Sequence, residues 1–184
     1  MRTADVIELV QPFHDDGDEA ALKSKELVLR LLDHGSSPFS RDHFTPGHIT
    51  GTAVVVSPKK DRFLLVHHRR LDRWLLPGGH VEESDAHVWD TARREAIEET
   101  GVELAPEERP QLVGIDVHGI PASVKKAEPY HLHHDLIFRF FARSERLLGS
   151  EEAREVLWCA VSQFQLYGLP VSIRRSVLRA LWGW

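Results

Sequence analysis

A glycine-rich loop followed by an acidic helix constrains this chain more than any other feature. The loop spans residues 78–85 (GGHVEESD), and the acidic segment spans residues 94–102 (REAIEETGV). At 100° per residue, Glu95, Glu98 and Glu99 share one helix face, beside a narrow apolar stripe. Like charges at this spacing cost roughly 0.2 to 0.5 kcal/mol per pair, so we predict that a cation compensates them. Oxygen ligands favour Mg²⁺ or Mn²⁺.

Two residues of the acidic segment indicate how it is organised. Arg94 stands four residues before Glu98 and four after Asp90, so it can clamp and orient a carboxylate. Gly101 follows the last turn, where its tolerance of positive φ can end the helix. An acidic stripe is more often a solvated helix face, and here the arginine and the glycine-rich loop favour a functional site.

Together the two segments resemble the signature of the Nudix hydrolases. That pattern runs glycine, five residues, glutamate, seven residues, and then Arg-Glu-apolar-any-Glu-Glu-any-Gly-apolar. Gly79 opens it, Asp85 takes the first acidic position, and residues 94–102 match every fixed position of the second half. The chain departs from the pattern twice, because Asp85 replaces glutamate and the spacer before Arg94 is one residue longer.

The resemblance implies an α/β fold, the Nudix-type α/β/α sandwich with a mixed β-sheet, and a metal-dependent pyrophosphohydrolase. The implied ligands of Mg²⁺ or Mn²⁺ are the Gly79 carbonyl and the carboxylates of Glu95, Glu98 and Glu99. Glu98 or Glu99 would accept the proton of the attacking water, and Arg94 would orient Glu98.

Further carboxylates have implied roles outside this ligand set. Asp85 is expected to stabilise the loop and the helix N-terminus, where negative charge is favourable. In some Nudix relatives the base comes from another loop, and the candidates here are Asp135, Glu128 and Asp116.

Six residues are candidate substrate contacts: Arg69, Trp74, His80, His131, His133 and Asp135. Alternation along a strand puts His131, His133 and Asp135 on one face, which we expect beside the acidic helix, with His134 pointing away. Trp74 could stack on a base and Arg69 could pair with phosphate. Packing of the tryptophan and a solvated polar strand face are the competing interpretations.

The leading functional hypothesis is hydrolysis of a nucleoside diphosphate linked to another moiety, or of a related organic diphosphate. The alternative is a non-catalytic Nudix-like ligand-binding or regulatory module, because a fold can keep binding and lose turnover. The complete set of Arg94, Glu95, Glu98 and Glu99 favours the enzyme. The expected partner is a small phosphate compound, with a nucleotide preferred.

Composition excludes several other classes of function. The 184 residues carry 23 basic and 28 acidic side chains, which gives a net charge of −5. This charge does not favour binding of long nucleic acid. No apolar run approaches the ~18 residues that span a bilayer, so we expect a soluble, cytoplasmic protein without a membrane partner. Trp182 and Trp184 near the C-terminus suggest burial against a second subunit, which predicts a homodimer.

Two regions are expected, an N-terminal helical extension over residues 1–45 and the Nudix hydrolase domain over residues 46–184. A helix begins after Asp18, which can cap it, and ends at Gly35. Alternating or β-branched segments predict strands at 49–56, 63–68, 112–117, 132–142 and 155–160, and a final helix spans 172–182.

Overall fold

The computed structural model describes residues 1–14, 17–151 and 153–183. The N-terminal part forms two helices, α1 (Thr3–Val10) and α2 (Glu19–His34). Asp18 caps α2 as predicted, since its side chain accepts the backbone N–H groups of Ala20 and Ala21 at 3.2 Å. Val28, Leu31 and Leu32 of α2 join the same core as the sheet, so these helices pack as part of the main body.

In the part of the chain that the structure describes, seven strands form one mixed sheet: β1 (Gly47–Val56), β2 (Arg62–His68), β3 (Arg73–Leu75), β4 (Gly78–His80), β5 (Leu112–Ile120), β6 (His131–Phe141) and β7 (Ala153–Ala160). The order is β3-β2-β1-β6-β5, while β4 pairs with β1 and β7 pairs with β2. β1 and β6 run parallel and the other pairs are antiparallel. All five predicted strands are present. The strands β3 and β4 were not predicted, because a strand of three residues is too short to show a hydrophobic periodicity.

Helices cover both faces of this sheet. α1, α2 and α3 (Val88–Thr100) pack on one side, which we call the α3 face, and α4 (Val171–Trp182) packs on the other, the α4 face. β1 shows why both layers form. Ile49, Ala53 and Val55 join the core under α3, whereas the alternate residues Val54 and Val56 join the core under α4. The predicted α/β/α sandwich with a mixed sheet is therefore confirmed.

The contact between α3 and β1 is unusually close, and it positions the acidic helix. A Cβ atom on Gly51 would lie 2.6 Å from the Val88 carbonyl oxygen and 3.0 Å from the Ala92 nitrogen. Ala92 and Ala96, small residues on the apolar side of α3, are completely buried. Small side chains on the helix and a glycine on the strand thus let the two backbones approach each other.

Two features of the chain ends bear on the predicted partners. Among the described residues, no helix combines the length and the apolar character needed to cross a membrane. Trp182 is 58% exposed at the end of α4, and Trp184 lies outside the described residues. The homodimer stays a prediction.

Candidate active site

The glycine-rich segment forms β4, which pairs antiparallel with β1. Gly79 lies opposite Gly51, and His80 lies opposite Thr50. Gly79 faces α3, where an added Cβ would meet the Glu95 carboxylate at 2.3 Å. Only glycine lets the loop backbone approach this carboxylate so closely. The loop and the helix face therefore meet at the position that the sequence pattern predicts.

The three carboxylates of the acidic face differ in their surroundings. Glu98 is the most exposed, with 58% of its side chain accessible, while the Glu95 side chain is 18% exposed. Glu99 is buried, and it accepts the backbone N–H of Gly78 at 3.1 Å. On this face, Glu99 is therefore buried and held by a hydrogen bond, Glu95 is mostly buried, and Glu98 reaches solvent. Gly101 ends α3 in the left-handed conformation, with φ of 65°, as predicted.

Arg94 connects the loop to the acidic face. Its guanidinium donates to Asp85 through two nitrogens at 3.0 and 3.3 Å, and to the His80 carbonyl at 2.9 Å. It also donates to Glu95 at 2.9 Å and to Glu98 at 3.2 Å. Hydrogen bonds and ion pairs with Asp85 and Glu95 outweigh burial and raise the pKa of Arg94, so it stays charged. The predicted contact with Glu98 is present.

Asp90, the other acidic residue four positions from Arg94, has partners elsewhere. Asp90 accepts from Arg93 at 3.1 Å and from the His87 backbone N–H at 3.0 Å, at the start of α3. Arg94 turns instead toward Asp85, because the loop folds back over the helix. Spacing along one helix could not reveal this partner, which lies nine residues away in the loop.

Asp85 is the anchor of the loop. It is 7% exposed and accepts the Glu82 backbone N–H at 3.0 Å and the Thr91 hydroxyl at 2.8 Å, in addition to Arg94. Burial by itself would raise the pKa of Asp85, but these hydrogen bonds and the Arg94 charge hold it below its ordinary value. The substitution of aspartate for the glutamate of the pattern therefore preserves a loop-to-helix connection.

We expect Asp85→Asn to lower the free energy of unfolding by about 2 kcal/mol at pH 7, because Arg94 loses a charged acceptor. A lowered folded-state pKa stabilises the protein above the unfolded pKa of about 3.9. This stabilisation is lost as the pH falls through the pKa of folded Asp85. Urea unfolding of both forms should thus show a difference at pH 7 that shrinks below pH ~4.

Asp90→Asn is the matched control, because the Asp90 side chain is 28% exposed and its partners are at the helix surface. Its cost should be about 1 kcal/mol or less. Equal losses in the two variants, or a difference that persists at low pH, would contradict the assigned role of Asp85.

A cluster of histidines lies next to this site but on the other face of the sheet. The ring centroids of His48 and His80 are 5.1 Å apart, those of His80 and His133 are 5.1 Å apart, and those of His48 and His133 are 4.9 Å apart. His131 also packs against His48, at 5.1 Å. The four residues come from three adjacent strands, β1, β4 and β6.

The expected position of the His-x-His-x-Asp run beside the acidic helix is wrong. Gly51 faces α3, so its neighbour Thr50 points to the α4 face together with its cross-strand partner Asp135. His131 and His133 alternate in phase with Asp135 and share its face. His134 points to the opposite face, as alternation predicts, and is 1% exposed. β4 joins the two sites, because Gly79 faces the carboxylates and His80 faces the histidines.

Burial keeps several of these imidazoles neutral. Burial, together with the charges of the neighbouring histidines, lowers the pKa of His80 to about 3 and that of His133 to about 2. Burial also lowers the pKa of His48. The His48 Nδ1 atom lies 3.2 Å from the His43 carbonyl oxygen, whereas in the described part of the chain its buried Nε2 atom has no hydrogen-bond partner. Such an unsatisfied group costs about 1 to 3 kcal/mol.

Beside the histidines, Asp116 and Asp135 flank His118. The His118 Nδ1 atom lies 3.0 Å from Asp116 and 3.6 Å from Asp135, and the hydrogen bond to Asp116 raises the pKa of His118. Thr50 donates its hydroxyl hydrogen to Asp135, whose pKa is raised by burial. Glu128, the third candidate base, pairs with Lys126 at 3.7 Å. No pattern in the sequence indicates Thr50, because only strand pairing brings it to Asp135.

Two predicted substrate contacts have structural partners of their own. Arg69 donates to the carbonyl oxygens of Glu151 and Ala153, at 2.9 and 3.2 Å. The Trp74 ring packs against His67 and Tyr167, with ring centroids 4.9 Å apart in both cases. Both residues stabilise the sheet edge around β3 and β7, and their contact with substrate stays a prediction.

Comparison with solved structures agrees with this architecture. A NUDIX-family hydrolase from Clostridium perfringens superimposes with a TM-score of 0.54 at 21% identity, covering 73% of this chain and 95% of that one. The dihydroneopterin triphosphate pyrophosphohydrolase of E. coli gives a TM-score of 0.53 at 17% identity, covering 74% and 96%. At these identities the likeness establishes the fold.

Sequence comparison adds the family. A Lactococcus lactis subsp. cremoris protein described as a "Probable DHNTP pyrophosphohydrolase" is 36% identical over 119 residues, which are 64% of this chain and 67% of that protein. The NUDIX domain matches residues 47–181, from the start of β1 nearly to the end of α4. This match agrees with the glycine-rich loop, Arg94 and the three carboxylates of α3, and the chain therefore belongs to the Nudix family of hydrolases.

Proposed function

We propose that the protein is a metal-dependent pyrophosphohydrolase that cleaves a phosphoric anhydride bond of a small organic di- or triphosphate by attack of water at phosphorus. The observation that carries this proposal is the approach of the Gly79 backbone to the Glu95 carboxylate, with Glu98 and Glu99 on the same helix face. A surface helix whose acidic face was merely solvated would not need a glycine loop packed against it.

The donor set suits a hard divalent cation. Carboxylates of Glu95, Glu98 and Glu99 and the backbone of Gly79 offer oxygen atoms only, which fits Mg²⁺ or Mn²⁺. Arg94 is shared among Asp85, Glu95 and Glu98, and one guanidinium compensates only one of these three charges. A bound divalent ion would neutralise the phosphate oxygens and lower the pKa of a water molecule.

Arg94, Glu98 and Glu99 would have separate roles in the reaction. Arg94 holds Glu95 and Glu98 in place through hydrogen bonds of 2.9 and 3.2 Å, and it fixes their distance from the loop through Asp85. Glu98 reaches solvent and is our preferred acceptor for the proton of the attacking water. Glu99, held by the Gly78 N–H, would act as a fixed ligand.

The choice of substrate follows from the relatives. The similarity to a protein described as a DHNTP pyrophosphohydrolase makes dihydroneopterin triphosphate the first compound to test. The residues of the α4 face that adjoin β4, among them His80 and His133, would contact the organic part of a substrate whose phosphates lie at α3. Nucleoside triphosphates, nucleotide sugars and dinucleotides complete the panel.

The test is a panel assay with Mg²⁺ and with Mn²⁺, in which mass spectrometry identifies the products. We expect release of a phosphorylated fragment from at least one compound, and release slowed by about 100-fold or more in Glu98→Gln. Binding of a panel compound without turnover under any metal condition would instead support the non-catalytic binding module.

A second expectation is that Mg²⁺ or Mn²⁺ stabilises the fold. An ion that binds only the folded state at 100 times its Kd adds about 2.7 kcal/mol, which raises Tm by about 5 to 10 °C for a chain of this size. The rise should shrink in Glu95→Gln and persist in Glu26→Gln, a control on the exposed side of α2. A melting curve that is insensitive to millimolar metal would count against the site.

A further inference from the structure

The histidine cluster has the geometry of a metal-ligand set, and no step of the proposed hydrolysis requires it to bind a metal. His48, His80 and His133 each offer one ring nitrogen, and these nitrogens lie within 4.8 Å of one another. The residues belong to β1, β4 and β6. His48 and His133 are direct cross-strand partners, while His80 lies opposite Thr50, two residues along β1. Backbone pairing therefore places the three residues next to one another on one face of the sheet before any ligand binds.

His48 provides the second, independent observation. Its ring is 1% exposed, and its Nδ1 atom faces the His43 carbonyl oxygen at 3.2 Å. A carbonyl only accepts, so Nδ1 carries the hydrogen and Nε2 carries the lone pair. Within the described residues this buried Nε2 has no hydrogen-bond partner. A histidine whose one nitrogen donates to a carbonyl while the other presents a lone pair is the arrangement found at metal centres.

Charged side chains of both signs lie near the histidine cluster. Arg41 and Lys126 act electrostatically on His80, while Asp116 and Asp135 lie on the other side of the cluster around His118. The His118 ring lies 5.8 Å from that of His133. The proposed ligands are themselves neutral imidazoles, the form that coordinates zinc.

We propose that His48, His80 and His133 bind one Zn²⁺ ion, with a fourth coordination position open to water or to an oxygen ligand. Three imidazoles favour zinc over Mg²⁺, which prefers oxygen. His80 and His133 are partly exposed, so one side of the ion would be accessible. Zn–N distances of about 2.0 to 2.1 Å require nitrogens about 3.3 Å apart, which small rotations of the rings would achieve.

Zinc binding can be tested without turnover, and the two ligand sets are on opposite faces of the sheet. Failure of the zinc proposal is therefore distinguishable from failure of the proposed hydrolase activity. The carboxylates at α3 would take Mg²⁺ or Mn²⁺, and the histidines would take zinc. Selectivity follows from ligand type, so a large excess of Mg²⁺ should not displace the zinc ion.

The test uses the metal-stripped full-length protein, titrated with Zn²⁺ against a chromophoric chelator in excess Mg²⁺. We expect one equivalent of tightly bound zinc, with affinity reduced roughly 100-fold or more in His80→Asn and in His133→Asn. Glu98→Gln and His34→Asn, which remove a carboxylate of the other site and an exposed histidine, should bind as the wild type does. Unchanged affinity in both cluster variants, or loss in Glu98→Gln instead, would overturn the proposal.

Cobalt gives a readout that needs no variant. Co²⁺ bound by the three imidazoles and one further ligand should show the intense visible bands of four-coordinate cobalt in the wild-type protein. Weak bands of six-coordinate, oxygen-ligated cobalt, or no binding at all, would overturn the proposal even if the histidine variants fail to fold. Circular dichroism and melting curves establish whether each variant is folded.

Discussion

Glu98→Gln and Glu99→Gln are each expected to lower kcat by about 100-fold or more, with the fold intact. Both changes keep the size of the side chain and remove the charge that, in the proposed mechanism, would hold a divalent cation and assist the attacking water. Glu98 is largely exposed, so its variant should melt as the wild type does. In Glu99→Gln the amide oxygen can still accept the Gly78 N–H, so little stability should be lost.

Glu103→Gln is the matched control, because this exposed residue lies just beyond the end of α3. Its turnover should equal that of the wild type when release of the phosphorylated product is measured under saturating substrate and metal. Near-normal turnover in both Glu98→Gln and Glu99→Gln would remove the acidic face from the mechanism and leave the binding module as the better account.

The features that the sequence predicted well are those that a single helix or loop determines. The periodic acidic face, the Arg94–Glu98 contact and the end of α3 at Gly101 follow from spacing and from local conformational preference. The helix α2 also ends at Gly35 as predicted, although that glycine is in an extended conformation. The five long strands follow from continuous or alternating apolar residues. Each of these inferences needs only residues that are near one another in the chain.

The features that it did not predict depend on how separate segments of the chain fold against one another. Whether His133 and Asp135 face α3 or α4 is decided by the register of β6 against β1, and by Gly51 facing the helix. A shift of one residue would exchange the two faces, so alternation predicted the contrast with His134 but not which side each residue takes. The Arg94–Asp85 ion pair needed the loop to fold over the helix.

The second large effect concerns the close approach of β1 to α3. We expect Gly51→Ala to lower the free energy of unfolding by about 3 kcal/mol, which reduces Tm by about 6 to 12 °C. The added Cβ would lie 2.6 Å from the Val88 carbonyl oxygen, 2.9 Å from the Thr91 Cβ atom and 3.0 Å from the Ala92 nitrogen. Two of these are backbone atoms, so the helix must move as a unit. Urea unfolding and thermal melting measure the loss.

Gly79→Ala is the comparison variant, because Gly79 pairs with Gly51 in the sheet. Its added Cβ would meet a flexible side chain instead of the helix backbone. The nearest atoms belong to the end of the Glu95 side chain, which can rotate away. We therefore expect little loss of stability but a clear loss of turnover, because Glu95 leaves its place beside the loop. Wild-type stability in Gly51→Ala would contradict the close packing of α3 on β1. Full activity in Gly79→Ala would show that the position of Glu95 against the loop does not matter for the reaction.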